Sequence, residues 1–114
     1  MTQTAHVQSL DAADESRALE LGRVDLIELG GLAFDRATFE LGWRWSDHLS
    51  SASCEERHLG YFISGCMRFR MRDGTEHDAR AGDVYLIPPG HDVWVVGDAQ
   101  CVALDLRPTQ SLAS

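Results

Sequence analysis

The sequence predicts an all-β domain, built as a sandwich or a barrel. Turn signals recur about every 8–12 residues through most of the chain and separate short stretches rich in apolar residues. No long stretch shows the period of about 3.6 residues that is typical of an amphipathic helix. The length of 114 residues suits one domain with its own hydrophobic core.

The β-type pattern begins near Arg23, and the residues before it are polar. We expect residues 1–20 to form a flexible arm, with one helical turn at most. From there, alternation of apolar and polar residues or a continuous apolar run predicts extended segments. These segments read RVDLIEL, LAFDRATFEL, GWRWS, HLGYFISG, CMRFRMR, DVYLI and CVALDL.

Glycine and proline mark the turns between these segments. Asp73-Gly74 is a strong hairpin signal, Gly82-Asp83 is a second turn, and Pro88-Pro89-Gly90 breaks the chain again. In CMRFRMR, methionine and phenylalanine alternate with arginine, so one strand face is apolar and the other is charged.

Composition narrows the classes of function. The net charge of −8 disfavours binding to nucleic acid, because a phosphate backbone would be repelled. All ten basic residues are arginine, which excludes Schiff-base chemistry on a lysine. No apolar run of about 18 residues predicts a membrane span, and the N-terminus lacks the pattern of a secretory signal. We therefore expect a cytoplasmic location.

The chain has three cysteines, and an odd number in a cytoplasmic protein argues against a disulfide framework. Cys101 alternates with apolar residues and is expected in the core. Cys54 stands four residues before His58, just ahead of the segment HLGYFISG. A thiol and an imidazole at this spacing suggest either a metal site or a loop that contains both residues.

Two glycine- and proline-containing motifs carry a family resemblance. In GDVYLIPPG, Gly82, Pro88 and Gly90 have the spacing of the second cupin motif, and HDVW follows. Gly65 fits the glycine that ends the first cupin motif, and His58 lies seven residues before it, where the family carries a glutamate. Over residues 23–107 the sequence resembles a small bacterial cupin.

The resemblance implies a cupin-like double-stranded β-helix barrel, a jelly roll that is expected to form a homodimer. The cupin domain would span residues 21–108, and residues 109–114 would form a C-terminal tail. A small-molecule ligand or substrate is expected in the mouth of the barrel.

The resemblance also implies a ligand set for a divalent metal. His58 occupies the position of the family's acidic ligand, and Cys54 occupies a place acceptable for a motif histidine. The histidine of the second motif is expected at Val93, but the sequence has His91, two residues earlier and on the same face of a regular strand. His48 is a further candidate. Thiolate and imidazole favour zinc, while iron and manganese remain alternatives.

Aromatic residues flank the candidate ligands and are candidates for binding a substrate. They are Trp43, Trp45, Trp94 and Tyr61. Aromatic walls are common in small-ligand pockets, although packing in the core would explain the same residues.

These observations predict a zinc-dependent enzyme acting on a small molecule. The resemblance implies an isomerase, a lyase or a component of an N–N bond-forming synthetase. Two alternatives remain open: a non-catalytic module that senses or binds a small molecule, and a degenerate cupin that has lost its metal.

Overall fold

The computed structural model describes residues 4–48 and 53–109, except for the His48 side chain. A 3-10 turn, Leu10–Ala12, precedes the first strand. The remaining elements are β1 (Glu15–Leu19), β2 (Gly22–Leu29), β3 (Leu32–Phe39), α1 (Trp45–His48), β4 (His58–Ser64), β5 (Cys66–Met71), β6 (Glu76–Arg80), β7 (Val84–Ile87), β8 (His91–Val95) and β9 (Cys101–Pro108).

The strands form two antiparallel sheets. The larger sheet has the order β1-β2-β3-β9-β4-β7, and the smaller sheet has the order β6-β5-β8. Inward-facing side chains of both sheets form one core, which includes Phe62 of β4, Phe69 of β5 and Val93 of β8. The prediction of an all-β fold is therefore confirmed.

The N-terminal segment differs from the predicted flexible arm. Residues Glu15–Leu19 form β1, which pairs with β2 along its whole length. Only Leu19 of β1 is partly buried, so the strand has no apolar alternation by which the sequence could reveal it. Polar contacts stabilise it instead, including a hydrogen bond of 2.7 Å from Ser16 Oγ to Asp25 Oδ1. Residues 1–3 and 110–114 lie outside the described part of the chain.

A close approach between β4 and β9 requires a glycine at position 60. A Cβ atom at Gly60 would lie 2.1 Å from the Leu104 carbonyl oxygen and 2.7 Å from the Tyr85 hydroxyl. These separations are too short for any side chain. Gly60 therefore keeps β4, which begins with His58, close to β9.

The segment before β4 is joined to the start of β8 by backbone hydrogen bonds. The Cys54 N–H donates to the His91 carbonyl over 2.7 Å, and the Gly90 N–H donates to the Cys54 carbonyl over 2.7 Å. Gly90 has a φ of +91°, a conformation that favours glycine. This bridge and the first residue of β4 bring Cys54, His58 and His91 to the same end of the barrel. Among the described residues, no helix is long and apolar enough to cross a bilayer.

Candidate metal centre

Cys54, His58 and His91 converge at one end of the core. One ligand atom from each residue lies within 4.8 Å of the others. The Cys54 Sγ and the His58 Nε2 are 3.3 Å apart, and Cys54 and His91 are each only 1% exposed. The structure thus brings together three of the four predicted ligand residues.

Hydrogen bonds fix the orientation of both imidazole rings. His58 Nδ1 lies 2.6 Å from Asp105 Oδ2, and His91 Nδ1 lies 2.8 Å from the Pro88 carbonyl oxygen. Because both acceptors are oxygens, each Nδ1 is the protonated nitrogen and donates. Each Nε2 is then the nitrogen that would bind a metal, and in the metal-free protein His58 Nε2 holds a proton toward the Cys54 sulfur.

The donor set suits a divalent metal ion, and its chemistry is compatible with zinc. Zinc bonds of about 2.3 Å to sulfur and about 2.0 Å to nitrogen place tetrahedral ligands about 3.3–3.6 Å apart. The distance of 3.3 Å from Cys54 Sγ to His58 Nε2 is slightly shorter than the ~3.5 Å between tetrahedral sulfur and nitrogen ligands, and all three ligand atoms lie within 4.8 Å of one another. A three-residue set of this kind leaves the fourth tetrahedral position to another ligand.

The cluster changes the protonation of its own members. Burial raises the pKa of the Cys54 thiol, but hydrogen bonds with His58 and His91 outweigh burial and lower the pKa from 9.0 to about 6. Burial lowers the pKa of His58, but hydrogen bonds with Asp105 and Cys54 outweigh it and raise the pKa from 6.5 to about 10. Near neutral pH the sulfur is therefore a thiolate, the form that binds metals.

Asp105 is a residue of the site that the sequence analysis missed. Its carboxylate accepts a hydrogen bond from His58 on one oxygen and a short one from the Tyr85 hydroxyl on the other. Burial and the Asp105 charge both raise the pKa of Tyr85, which keeps its proton. The available signal was a lone acid inside the apolar segment CVALDL, two residues after Ala103 and on the same inward face.

A cavity of about 190 Å³ adjoins the cluster, and its walls are mostly apolar. Strands of both sheets contribute to it, and β1 contributes Leu19. The lining residues are Leu19, Val24, Asp35, Ala37, Phe39, Trp43, Trp45, Cys54, His58, Phe62, Met67, Phe69, Tyr85, His91, Val93, Ala103 and Asp105.

The four predicted substrate-binding residues fall into two groups. Trp43 and Trp45 line the cavity, and Trp43 is 2% exposed and stacks on Phe39 with ring centroids 4.0 Å apart. Trp94 and Tyr61 do not line this cavity.

The alternation of side chains along each strand explains why Trp94 and Tyr61 lie outside the cavity wall. Val93 faces the cavity, so Trp94 faces away from it, where the Arg44 guanidinium lies 4.2 Å from the ring centroid. Tyr61 follows the inward Gly60, points outward and is 45% exposed. His48, the fourth predicted ligand, is the last residue of α1, and its side chain lies outside the described part of the structure.

No family model matches the sequence, but solved structures share its fold. Oxalate decarboxylase from Lactobacillus farciminis, in a complex with formate, superposes with a TM-score of 0.69 and 20% identity. The match covers 96% of this chain and 35% of that one. A sugar phosphate isomerase of the cupin superfamily from Silicibacter pomeroyi gives a TM-score of 0.66 and 16% identity, covering 89% of this chain and 74% of that one. The chain is thus a small domain with the cupin fold.

One curated protein is similar in sequence. The HTH-type transcriptional regulator AlkR of Acinetobacter baylyi is 33% identical over 67 residues, which cover 59% of this chain and 21% of the regulator. The matched region therefore spans about a fifth of AlkR.

Proposed function

We propose that the protein binds one zinc ion through Cys54 Sγ, His58 Nε2 and His91 Nε2, with the fourth ligand position directed to the cavity. The convergence of these three atoms within 4.8 Å is the observation that carries the proposal. Cysteine and histidine donors favour zinc over iron or manganese, which prefer sites with carboxylates.

The best-supported function is that of a zinc-dependent enzyme acting on a small molecule. When bound, zinc supplies Lewis-acid polarisation of an oxygen or nitrogen atom of the substrate. Asp105 holds the His58 ring in place through Nδ1, and the apolar walls around Trp43 and Phe62 exclude water. Three protein ligands among the described side chains favour a catalytic site, since structural zinc sites are closed by four.

Among reaction classes, we favour isomerisation or lyase chemistry. Two of the solved structures with this fold are an oxalate decarboxylase and a sugar phosphate isomerase, so the barrel accommodates both kinds of chemistry. A component of an N–N bond-forming synthetase is the third class that suits a cysteine and histidine site.

A sensing module is the second candidate, and the similarity to AlkR favours it. In this function the same cavity would bind a small molecule without converting it. Turnover of a bound compound would support the enzyme, whereas binding that only stabilises the domain would support the sensor.

Metal analysis of the purified protein tests the zinc site. We expect about one zinc per chain in protein purified without added metal or an affinity tag. His58→Ala should lose the metal because it removes one ligand, whereas His77→Ala, at an exposed position of β6, should keep it. Equal metal content in the two variants, or no metal in the native protein, would refute the proposal.

A homodimer is also proposed, with one outer face of the larger sheet as the contact. Strand β7 is the edge of that sheet, and its Val84 and Leu86 are 76% and 55% exposed. They are cross-strand neighbours of Tyr61 and Leu59 on β4, which are 45% and 40% exposed. An exposed apolar edge of this kind favours pairing with a second copy. Analytical ultracentrifugation of Leu86→Arg against the native protein tests this assembly.

A further inference from the structure

The charged and metal-binding groups of the described cavity wall lie together at one end of the cavity. They include the candidate metal centre, where His58 Nδ1 lies 2.6 Å from Asp105 Oδ2. Asp35 on β3 is the cross-strand partner of Asp105 on β9 and also lines the cavity. The side chains of His58 and Asp105 are each 26% exposed, so a ligand can reach this end. Any charge that a ligand meets in the described wall, including that of a bound metal ion, is therefore at this end.

The wall becomes apolar along β3 in the direction away from Asp35. Asp35, Ala37 and Phe39 are alternate residues of this strand, and all three line the cavity. Four residues of extended strand span about 13 Å, which separates Phe39 from the polar end. Val24 of β2 is the cross-strand partner of Ala37. Leu19 of β1 lies beside the β2 residue that pairs with Phe39, so the apolar surface continues across three strands.

These apolar side chains are accessible and form no hydrogen bonds. Leu19, Val24, Ala37 and Phe39 are half-buried, so each retains surface that a ligand can cover. No serine, threonine, asparagine or glutamine is present among the described residues of the wall. A hydroxyl group placed against this surface would lose water without gaining a partner, whereas a hydrocarbon group would be stabilised by leaving water.

We infer that the cavity takes a small molecule with one metal-binding oxygen or nitrogen group at one end and an apolar body that lies along β3 toward Phe39. This inference rests on the proposed function and names the substrate class of the same site. The polar group would take the fourth position at the metal, and the body would cover Ala37, Val24 and Leu19. The volume of about 190 Å³ is below the ~300–1,000 Å³ of sites for drug-sized ligands, so the body is short.

Hexanoate and gluconate form a matched pair of probes for this inference. They share a carboxylate, the same charge and the same number of carbon atoms, and only gluconate carries hydroxyl groups along its chain. Isothermal titration calorimetry of the zinc-loaded protein should show hexanoate binding at least about tenfold more tightly than gluconate. Equal affinities, tighter binding of gluconate or no binding of either would overturn the inference.

A substitution at the apolar end tests the position of the body. Leu19→Ser replaces an apolar side chain of the wall by a hydroxyl, so hexanoate affinity should fall by about three- to tenfold while gluconate affinity does not fall. Leu32→Ser is the matched control, because Leu32 is 38% exposed and lies outside the cavity wall. Equal hexanoate affinities of the two variants would overturn the placement of the body. If Leu19→Ser does not fold, the comparison of the two probes on the native protein decides the inference alone.

Zinc removal separates failure of the ligand class from failure of the proposed function. Both probes should bind the zinc-free protein about tenfold more weakly, and hexanoate should remain the tighter of the two. If the protein holds zinc and does not prefer hexanoate, the ligand class is wrong and the zinc site stands. Equal hexanoate affinity with and without zinc would overturn the contact between the carboxylate and the metal. If the native protein holds no zinc, the proposed function fails, and the order of the two probes on the zinc-free protein still decides whether the body is apolar.

Discussion

The protein contains two polar clusters that differ in character, each of which includes a nearly fully buried polar residue. The inner cluster is Cys54, His58 and His91, beside the cavity. The outer cluster is Asp25 with Ser16, Arg23 and Arg36, on the opposite face of the larger sheet. His91 and Asp25 are almost equally buried, at 1% and 2% exposure.

The outer cluster satisfies its own hydrogen-bonding groups, because donors surround the Asp25 carboxylate. Asp25 accepts hydrogen bonds from Ser16 Oγ at 2.7 Å, Arg23 Nε at 2.7 Å and Arg36 Nη2 at 3.0 Å. Burial raises the pKa of Asp25, but these hydrogen bonds outweigh burial and lower it. The Arg36 guanidinium also contacts Asp11 and the Leu10 carbonyl, so it joins the N-terminal segment to the sheet.

The inner cluster differs because its members direct potential metal ligands, the imidazole Nε2 atoms and the Cys54 Sγ, toward one another. Each imidazole uses Nδ1 on a neighbouring oxygen and directs Nε2 into the cluster, toward which the Cys54 thiolate directs Sγ. Complementary charges close the outer cluster, whereas the inner cluster can exchange the proton of His58 Nε2 for a metal cation. Burial and polarity alone do not distinguish a ligand site from a structural ion pair.

The largest effect on folding is expected at the outer cluster. Asp25→Ala leaves two guanidinium groups without their buried carboxylate and should lower the free energy of unfolding by about 3 kcal/mol. Zinc stoichiometry of the folded fraction should not change. Chemical denaturation with parallel metal analysis measures both quantities. Arg17→Ala, at an exposed ion pair, is the control and should have little effect. Loss of zinc from folded Asp25→Ala would show that the two clusters are not independent.

A smaller effect is expected from a residue that supports the inner cluster. Asp105→Asn weakens the acceptor of the His58 Nδ1 proton, and zinc affinity should fall about 10–100-fold. Competition with a chromophoric chelator measures this affinity. Asp35→Asn is the matched control, because Asp35 lines the same cavity and has no hydrogen bond to the three ligand residues. Equal losses in both variants would assign the effect to the charge of the cavity and not to the orientation of His58.

The smallest effect concerns the titration of the zinc-free protein. The folded-state pKa of Cys54 is lowered from 9.0 to about 6, so its thiolate contributes stability that is fully present above pH 9 and is lost as the pH falls through about 6. Thiolate absorbance in the ultraviolet should therefore rise near pH 6, and Cys54→Ser should remove this step. His58→Gln should move the step upward because it removes the imidazolium. A step that stays near pH 6 in His58→Gln would exclude His58 as its cause.

The sequence determined the β architecture and the cupin resemblance, because glycine and proline turns and apolar alternation are local properties. It also singled out Cys54, His58 and His91 as chemically suited to one metal. Local patterns could not reveal β1, whose residues are mostly polar and exposed, and they could not show that Asp105 meets His58 across 47 positions of the chain. They also placed Trp94 and Tyr61 at the site, whereas alternation along β8 and β4 turns both outward.

Only the tertiary structure decided which groups meet. The backbone bridge between Cys54 and His91, and the close approach of β4 to β9 at Gly60, set the distances among sulfur, imidazole and carboxylate. The physical reason is that strand pairing between distant segments positions these atoms. Composition and spacing specify which atoms are available, and the register of the sheets specifies how they are arranged.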